Sequence, residues 1–452
     1  MQISFLGAAG TVTGSKYLLD LGNQKIMVDC GLFQGLKELR LRNWSPLPVR
    51  PVDVSSVILT HAHIDHSGYL PLFYKNGFNG DVFCTHGTKD LCDVLLPDSG
   101  YLQEEEANFA NRHGYSRHHP ALALYTVHDA LKVLDRFVTY PYHHTVQLDD
   151  QTSFSFLPAG HIIGSSCVYL KHKNKTMLFS GDLGRPHDLV MKAPEEPPSV
   201  DFLVLESTYG NRVHTAAHPL DELAEVINRT AERGGSVIVP AFAVGRAQSL
   251  LYYLYLLKQA KRIPDLPVYL DSPMAVSATN IFKRYHNEHR LDEKEIEGMA
   301  KVANYINTSF DSQRIDDGVN PKIIISASGM ITGGRILHHV KAYAPDGRNT
   351  ILFTGYQAAE TRGQRILSGE REVKMLGEMV PINAEIASLS NMSAHADSQE
   401  MLEWLRGFKR APEKVFIIHG EKDAALALKE LITKELHWQC VVPNYQDTYQ
   451  LT

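Results

Sequence analysis

Twelve residues, VILTHAHIDHSG at 57–68, constrain this chain more than any other stretch. An apolar, β-branched run (Val57, Ile58, Leu59, Thr60) reads as a strand and stops at four donor side chains, His61, His63, Asp65 and His66. Ser67-Gly68 then opens a helix-like segment, GYLPLFYK. A strand end followed by a turn is where a rigid sheet can aim several side chains at one point. Imidazole and carboxylate are donors that zinc takes, and H-x-H-x-D-H carries enough of them for two ions. A solvated His-rich turn is the bland alternative. Nothing apolar in the run explains it as core, so it reads as a metal site.

The same order of strand, donor and glycine recurs. Asp29 ends KIMVDCG, His161 lies in PAGHIIGSS, Asp182 in TMLFSGDLG and His419 in KVFIIHGE, and Glu206 closes the strand of DFLVLESTYG. Alone, each is more often a turn residue. In series with the first motif they read as further donors, and Asp182 has two oxygens to share between ions. Asp29 reads as a turn former or as a buttress for nearby ligands.

Between 209 and 390 the rhythm changes. Helices at 218–233, 246–261, 273–305 and 333–343 alternate with the strands SVIVPAF, PVYLDS, KIIISASGM and TILFTGYQ, the pattern of a buried parallel sheet. Donors flank this block on both sides. The simplest organisation is one fold made of 1–208 and 391–452, interrupted by a domain at 209–390, with a cleft between the two as the expected binding site. A length of 452 residues allows two or three domains. The net charge of −6 argues against holding nucleic acid by overall positive charge, although a local basic cleft stays open. No run approaches the ~20 apolar residues that span a bilayer. MQISFLGAAG reads as a first strand and not as a signal peptide. The five cysteines (Cys30, Cys84, Cys92, Cys167, Cys440) are scattered, without C-x-x-C spacing. A cytoplasmic protein with no membrane partner is the expectation.

Taken together, these motifs resemble the metallo-β-lactamase superfamily. Glu206, His395 in SAHAD and His419 in IHGE, with the blocks PAFAVGRAQ (240–248), ASGM (327–330) and GYQ (355–357), are similar to its β-CASP branch. Within it the chain looks most like bacterial and archaeal relatives of the cleavage and polyadenylation endonuclease. The resemblance spans essentially the whole sequence. It implies an α/β fold: a metallo-β-lactamase αββα sandwich with an inserted β-CASP parallel-sheet α/β domain.

It also implies roles. His61, His63, His161 and Asp182 would hold one Zn2+; Asp65, His66, Asp182 and His419 would hold a second, giving two per chain, with Asp29 as structural support. Asp65, Glu206 and His395 form the implied catalytic set. A hydroxide shared by the two ions would attack phosphorus in line. His395, oriented by Glu206, would protonate the leaving 3′ oxygen, leaving 5′-phosphate and 3′-hydroxyl ends. DNA-directed relatives carry an aliphatic residue where this chain has His419, so single-stranded RNA is the expected partner. Endonucleolytic cutting is expected. A 5′-to-3′ exoribonuclease and a hydrolase of a small ester or thioester are the alternatives, and a homodimer is open. With no KH-type extension before Met1, affinity is expected to rest on the cleft. Arg246, Gly329, Arg335, Arg362 and Ser393 are its candidate phosphate contacts, and Tyr209 and Tyr356 its candidate base-stacking rings.

Overall fold

The structure, a computed structural model, describes residues 1–452 apart from 115–117, 216–217, 319, 356 and 359 and the side chain of Ser390. Tyr356 therefore lies outside the described residues. The chain divides into two compact units, one of Met1–Val213 with His395–Thr452, the other of His214–Ala394.

Two seven-stranded sheets make the first unit, counting described residues. The first runs Thr448–Gln450, Gln2–Phe5, Tyr17–Asp20, Lys25–Val28, Ser56–Ile58, Asp81–Cys84, Phe137–Thr139. The second runs Cys440–Val441, Lys414–Ile418, Phe202–Glu206, Lys175–Phe179, Ser166–His172, Thr152–Pro158, Val146–Asp149. Alternating strand residues from both sheets meet in one apolar layer: Ile3, Phe5, Leu19, Val28 and Ile58 pack with Phe154, Phe156, Val168, Phe179 and Phe416. The opposite face of the second sheet (Leu178, Leu203, Leu205, Ile417) is covered by helices Ser398–Arg406 and Lys422–Leu436 through Met401, Leu405, Leu428 and Ile432. The final strand, Thr448–Gln450, was not legible as one; it pairs antiparallel with Gln2–Phe5 and closes that edge. Between the strands Asp81–Cys84 and Phe137–Thr139 lie a 28-residue helix, His86–His113, that carries Pro97 inside it, and Val127–Leu134 with a capping box of Thr126 and Asp129. All five cysteines are buried and unpaired, and burial pushes the Cys30 thiol up to about 12, which makes it a packing group. Among described residues no helix is long and apolar enough to cross a membrane.

Topology places the donors. Lys25–Val28 and Ser56–Ile58 run parallel, as do Lys175–Phe179, Phe202–Glu206 and Lys414–Ile418. Asp29, His61, Asp182, Glu206 and His419 thus all stand at or just beyond carboxyl ends of parallel neighbours.

The second unit has a six-stranded, wholly parallel sheet in the order Asn304–Tyr305, Val268–Asp271, Ile323–Ser326, Val237–Pro240, Thr350–Phe353, Glu385–Ser388. Apolar β-branched runs such as Ile323–Ile325, buried on both faces, form it. One charged cluster sits in this core. Asp271 accepts from Ser312 Oγ at 2.5 Å, Arg335 Nη1 at 2.5 Å and His339 Nε2 at 2.7 Å, while His339 Nδ1 donates to Asp316 at 2.7 Å. Burial alone would lower the pKa of His339, but hydrogen bonds to two carboxylates outweigh it and raise it to about 9. The folded state binds that proton more tightly than the unfolded chain. Its stabilisation is therefore complete below the ordinary 6.5 and is lost as pH rises through about 9. The difference corresponds to roughly 3 kcal/mol. In urea melts, His339→Gln is expected to lie well below the parent at pH 6 and to close most of that gap by pH 9.5. A gap that stays constant with pH would show that His339 is neutral in the fold.

Candidate metal centre

Two groups of ligand atoms converge in the first unit. His61 Nε2 lies 3.1 Å from His63 Nδ1, which lies 3.3 Å from His161 Nε2; Asp182 Oδ2 is 3.5 Å from His61 Nε2 and 3.7 Å from His161 Nε2. Donors about 2.0–2.1 Å from a tetrahedral zinc stand roughly 3.3–3.4 Å apart, so this spacing fits an ion. In the second group His66 Nε2 is 3.0 Å from His419 Nε2, and Asp65 Oδ2 is 3.3 Å from His419 Nε2 and 3.8 Å from His66 Nε2. Asp182 serves both, one oxygen each: its Oδ1 lies 3.3 Å from His66 Nε2 and 3.5 Å from His419 Nδ1. His63 Nε2 and Asp182 Oδ1 are buried without a hydrogen-bond partner among the described residues. Imidazole nitrogens packed tip to tip, beside a carboxylate oxygen left unsatisfied, are costly unless a cation is shared among them. The donor set fits a metal centre.

Electrostatics prepare the donors. Burial first, then the neighbouring His66, pushes His61 well below the ordinary imidazole value, so it stays neutral with a lone pair to give. Burial pushes the carboxyl of Asp182 up, but the imidazoles of His419, His66 and His61 outweigh it and hold it well below the usual carboxylate range. Asp29 is fully buried. It accepts from the Thr60 N–H at 2.8 Å and the Thr60 hydroxyl at 2.9 Å, and faces His66 Nδ1 at 2.8 Å, which leaves Nε2 of that ring for the metal. The segment Asp29–Gly31 must lie against the helix Ile64–Ser67: Cys30 N–H donates to His66 O at 2.7 Å, and a Cβ on Gly31 would fall 1.6 Å from Asp65 O. His419 sits in the left-handed region at φ 49°, held by its N–H to Ala8 O at 2.7 Å.

Beside the metal ligands, Glu206 is fully buried. Its Oε1 accepts from Leu183 N–H at 2.6 Å and from His395 Nδ1 at 3.2 Å, and its Oε2 from Thr208 N–H at 3.2 Å. The His395 ring is 4.5 Å from that of His161. Burial would lower its pKa, but Glu206 and then Asp182 and Asp65 raise it. It stands at the rim of the ligand cluster.

The family described as the metallo-beta-lactamase superfamily matches residues 9–225, the Beta-Casp domain 247–366 and the Zn-dependent metallo-hydrolase RNA specificity domain 379–443. Ribonuclease TTHA0252 of Thermus thermophilus is 35% identical, over 96% of each chain. The chain belongs to the β-CASP branch of the metallo-β-lactamase superfamily. It is thereby a metal-dependent hydrolase. The β-CASP protein is also similar to an RNase J-like protein of Methanocaldococcus jannaschii, 29% identical over 98% of this chain and 97% of the other. Transcription termination factor FttA of the same organism is 28% identical over 100% of this chain and 72% of its own length. A solved structure of a protein of unknown function from Enterococcus faecalis V583 shares the fold at a TM-score of 0.54 with 12% identity, covering 100% of this chain and 99% of that one.

The candidate phosphate contacts of the β-CASP protein lie in the second unit. Arg335 spends donors on Asp271 and on the carbonyls of Ile306 and Asn307, at 3.2 and 2.8 Å, and Arg362 on the carbonyls of Lys374, Ile331 and Thr332, at 2.9 to 3.4 Å. Both brace turns around them. Arg246 is half-buried at the start of helix Arg246–Gln259, Gly329 packs against Phe242, and Ser393 is buried. Tyr209 is not an open stacking ring: it is buried in the first unit, 6.1 Å from the His395 ring. Residues that the sequence did not single out also serve the site. Thr60 holds Asp29 and lies 3.1 Å from His61 Nδ1, and the Thr208 hydroxyl lies 3.2 Å from His419 Nδ1. A threonine ending a β-branched run carries no signal of such a role.

Proposed function

We propose that the protein is a zinc-dependent ribonuclease that hydrolyses internal phosphodiester bonds of single-stranded RNA, with two Zn2+ per chain and the cytoplasm as its setting. The observation that carries this reading is Asp182 facing both ligand groups while His395, braced by Glu206, stands beside them. When bound, zinc supplies a Lewis acid that lowers the pKa of water from 15.7 towards ~7 and offsets charge on phosphate oxygens. His61, His63, His161 and Asp182 would hold one ion, and Asp65, His66, His419 and Asp182 the other. Water gives up a proton to solvent as it attacks phosphorus, the P–O3′ bond breaks, and His395 gives its proton to the departing 3′ oxygen, to be reprotonated from solvent before the next turnover. Glu206 fixes the ring by its Nδ1–H, which aims the other nitrogen at the substrate. The products carry a 5′-phosphate and a 3′-hydroxyl, and no ribose 2′-hydroxyl is needed as nucleophile. The similarity to proteins named ribonuclease and RNase J-like supports RNA as the substrate.

A circular single-stranded RNA tests the mode of cutting, beside the same RNA linear with a 5′-monophosphate. The zinc-loaded protein is expected to open the circle, because a circle offers no end to start from. An intact circle beside a degraded linear strand would make it an exonuclease. Survival of both would remove RNA as the substrate and turn the search to small esters and thioesters.

A further inference from the structure

We propose that Phe242 is a platform on which an unpaired base of the substrate strand stacks, a proposal that rests on RNA being the substrate. The strand Val237–Pro240 runs into a segment in which Ala241, Ala243 and Val244 are buried, yet Phe242 between them is 38% exposed. The ring of Phe242 is thus turned outward from a buried run, just past the carboxyl end of the strand. The backbone beneath it is fixed: Ala241 N–H donates to Ser326 O at 3.0 Å, and Ala247 N–H to Phe242 O at 3.1 Å. One flank of the ring rests on glycine. A Cβ at Gly329 would come within 2.9 Å of ring atom Cδ2, and one at Gly355 would lie 3.9 Å from Cε2. Among the described residues the ring has no aromatic or cationic partner, whereas the more exposed Phe310 has the guanidinium of Arg314 over it at 6.0 Å.

Its place in the sheet matters as much as its exposure. Val237–Pro240 leads through helix Arg246–Gln259 to Val268–Asp271 on one side, while its neighbour Ile323–Ser326 leads through helix Ile336–Tyr343 to Thr350–Phe353 on the other. The two connections run in opposite directions, each passing the other's strand, so right-handed crossovers carry them on opposite faces of the sheet and leave a crevice outside the carboxyl ends, the general ligand position of open α/β sheets. Phe242 stands on the first residues beyond that point. Thr354, at the same end of the next strand, has a buried hydroxyl with no hydrogen-bond partner among the described residues. A single ring with an open face suits single-stranded nucleic acid, since every base has a π-face and stacking tolerates any sequence.

Steady-state kinetics of the full-length, metal-loaded protein test this with Phe242→Ala and Phe242→Trp. With single-stranded RNA, Phe242→Ala is expected to raise KM about 5- to 100-fold while kcat falls less, and Phe242→Trp to restore KM. With RNA carrying abasic riboses, the parent and Phe242→Ala should show the same KM, because no base remains to stack. A KM for Phe242→Ala equal to the parent's, or the same loss on abasic RNA, would overturn the platform while the parent's cleavage of RNA left the ribonuclease reading in place. A parent that cuts no RNA would overturn both.

Discussion

His395→Ala is expected to keep its full metal content and to lose roughly 10²- to 10⁴-fold in turnover, the range that a positioned general acid contributes. The geometry separates the two properties. His395 Nδ1 is engaged by Glu206 Oε1 at 3.2 Å and lies 4.0 Å from Asp182 Oδ2, so the ring flanks the ligand groups without belonging to either. Removing it leaves every proposed ligand in place. It also leaves Glu206 with its contacts to the Leu183 and Thr208 N–H groups, so the buried carboxylate is not stranded. Zinc measured by mass spectrometry beside single-turnover cleavage of RNA decides the matter. Zinc lost in step with activity would make His395 a ligand.

Asp182→Ala should act on both properties at once. The side chain is 2% exposed, and each oxygen faces a different ligand group. Its loss takes a donor from each ligand group and removes the carboxylate that would offset the charge of the bound ions. Metal content is expected to fall by half or more, and activity by at least about 10³-fold, because both the ions and their common anchor are disturbed. Asp182→Asn, which keeps shape and one oxygen but not charge, should fall between. Circular dichroism would confirm that the fold survives. A variant holding its full complement of zinc would show that Asp182 is not shared.

What could be read from the sequence follows from how each feature is encoded. The candidate donors were legible because chemistry and local structure coincide in them: an apolar strand halts at His, Asp or Glu, with glycine adjacent or a few residues on, at 61, 182, 206 and 419. The parallel sheet of the second unit was legible from runs such as Ile323–Ile325, which only a strand buried on both faces tolerates. The supports were not. Thr60 and Thr208 look like ordinary strand and turn residues, and their roles come from partners over 30 to over 200 positions away. Arg335 and Arg362 invited a reading as phosphate contacts because an arginine beside a glycine-rich turn looks open. Their carbonyl and carboxylate partners come from segments that only folding brings near. Phe242 was invisible for the opposite reason: a phenylalanine in PAFAV reads as core, and only burial of its neighbours shows it turned outward.

The return of the chain to its first unit sets an order on biosynthesis. His419 arrives from the segment that begins at His395, and the strand Thr448–Gln450 pairs with Gln2–Phe5, from the earlier segment of the same unit. Until translation has passed both, the nascent chain carries six of its seven metal donors around an incomplete second group, and the edge at Gln2–Phe5 waits unpaired. A metal-dependent hydrolase built this way cannot complete its second ligand group until both segments of its interrupted first unit have been made.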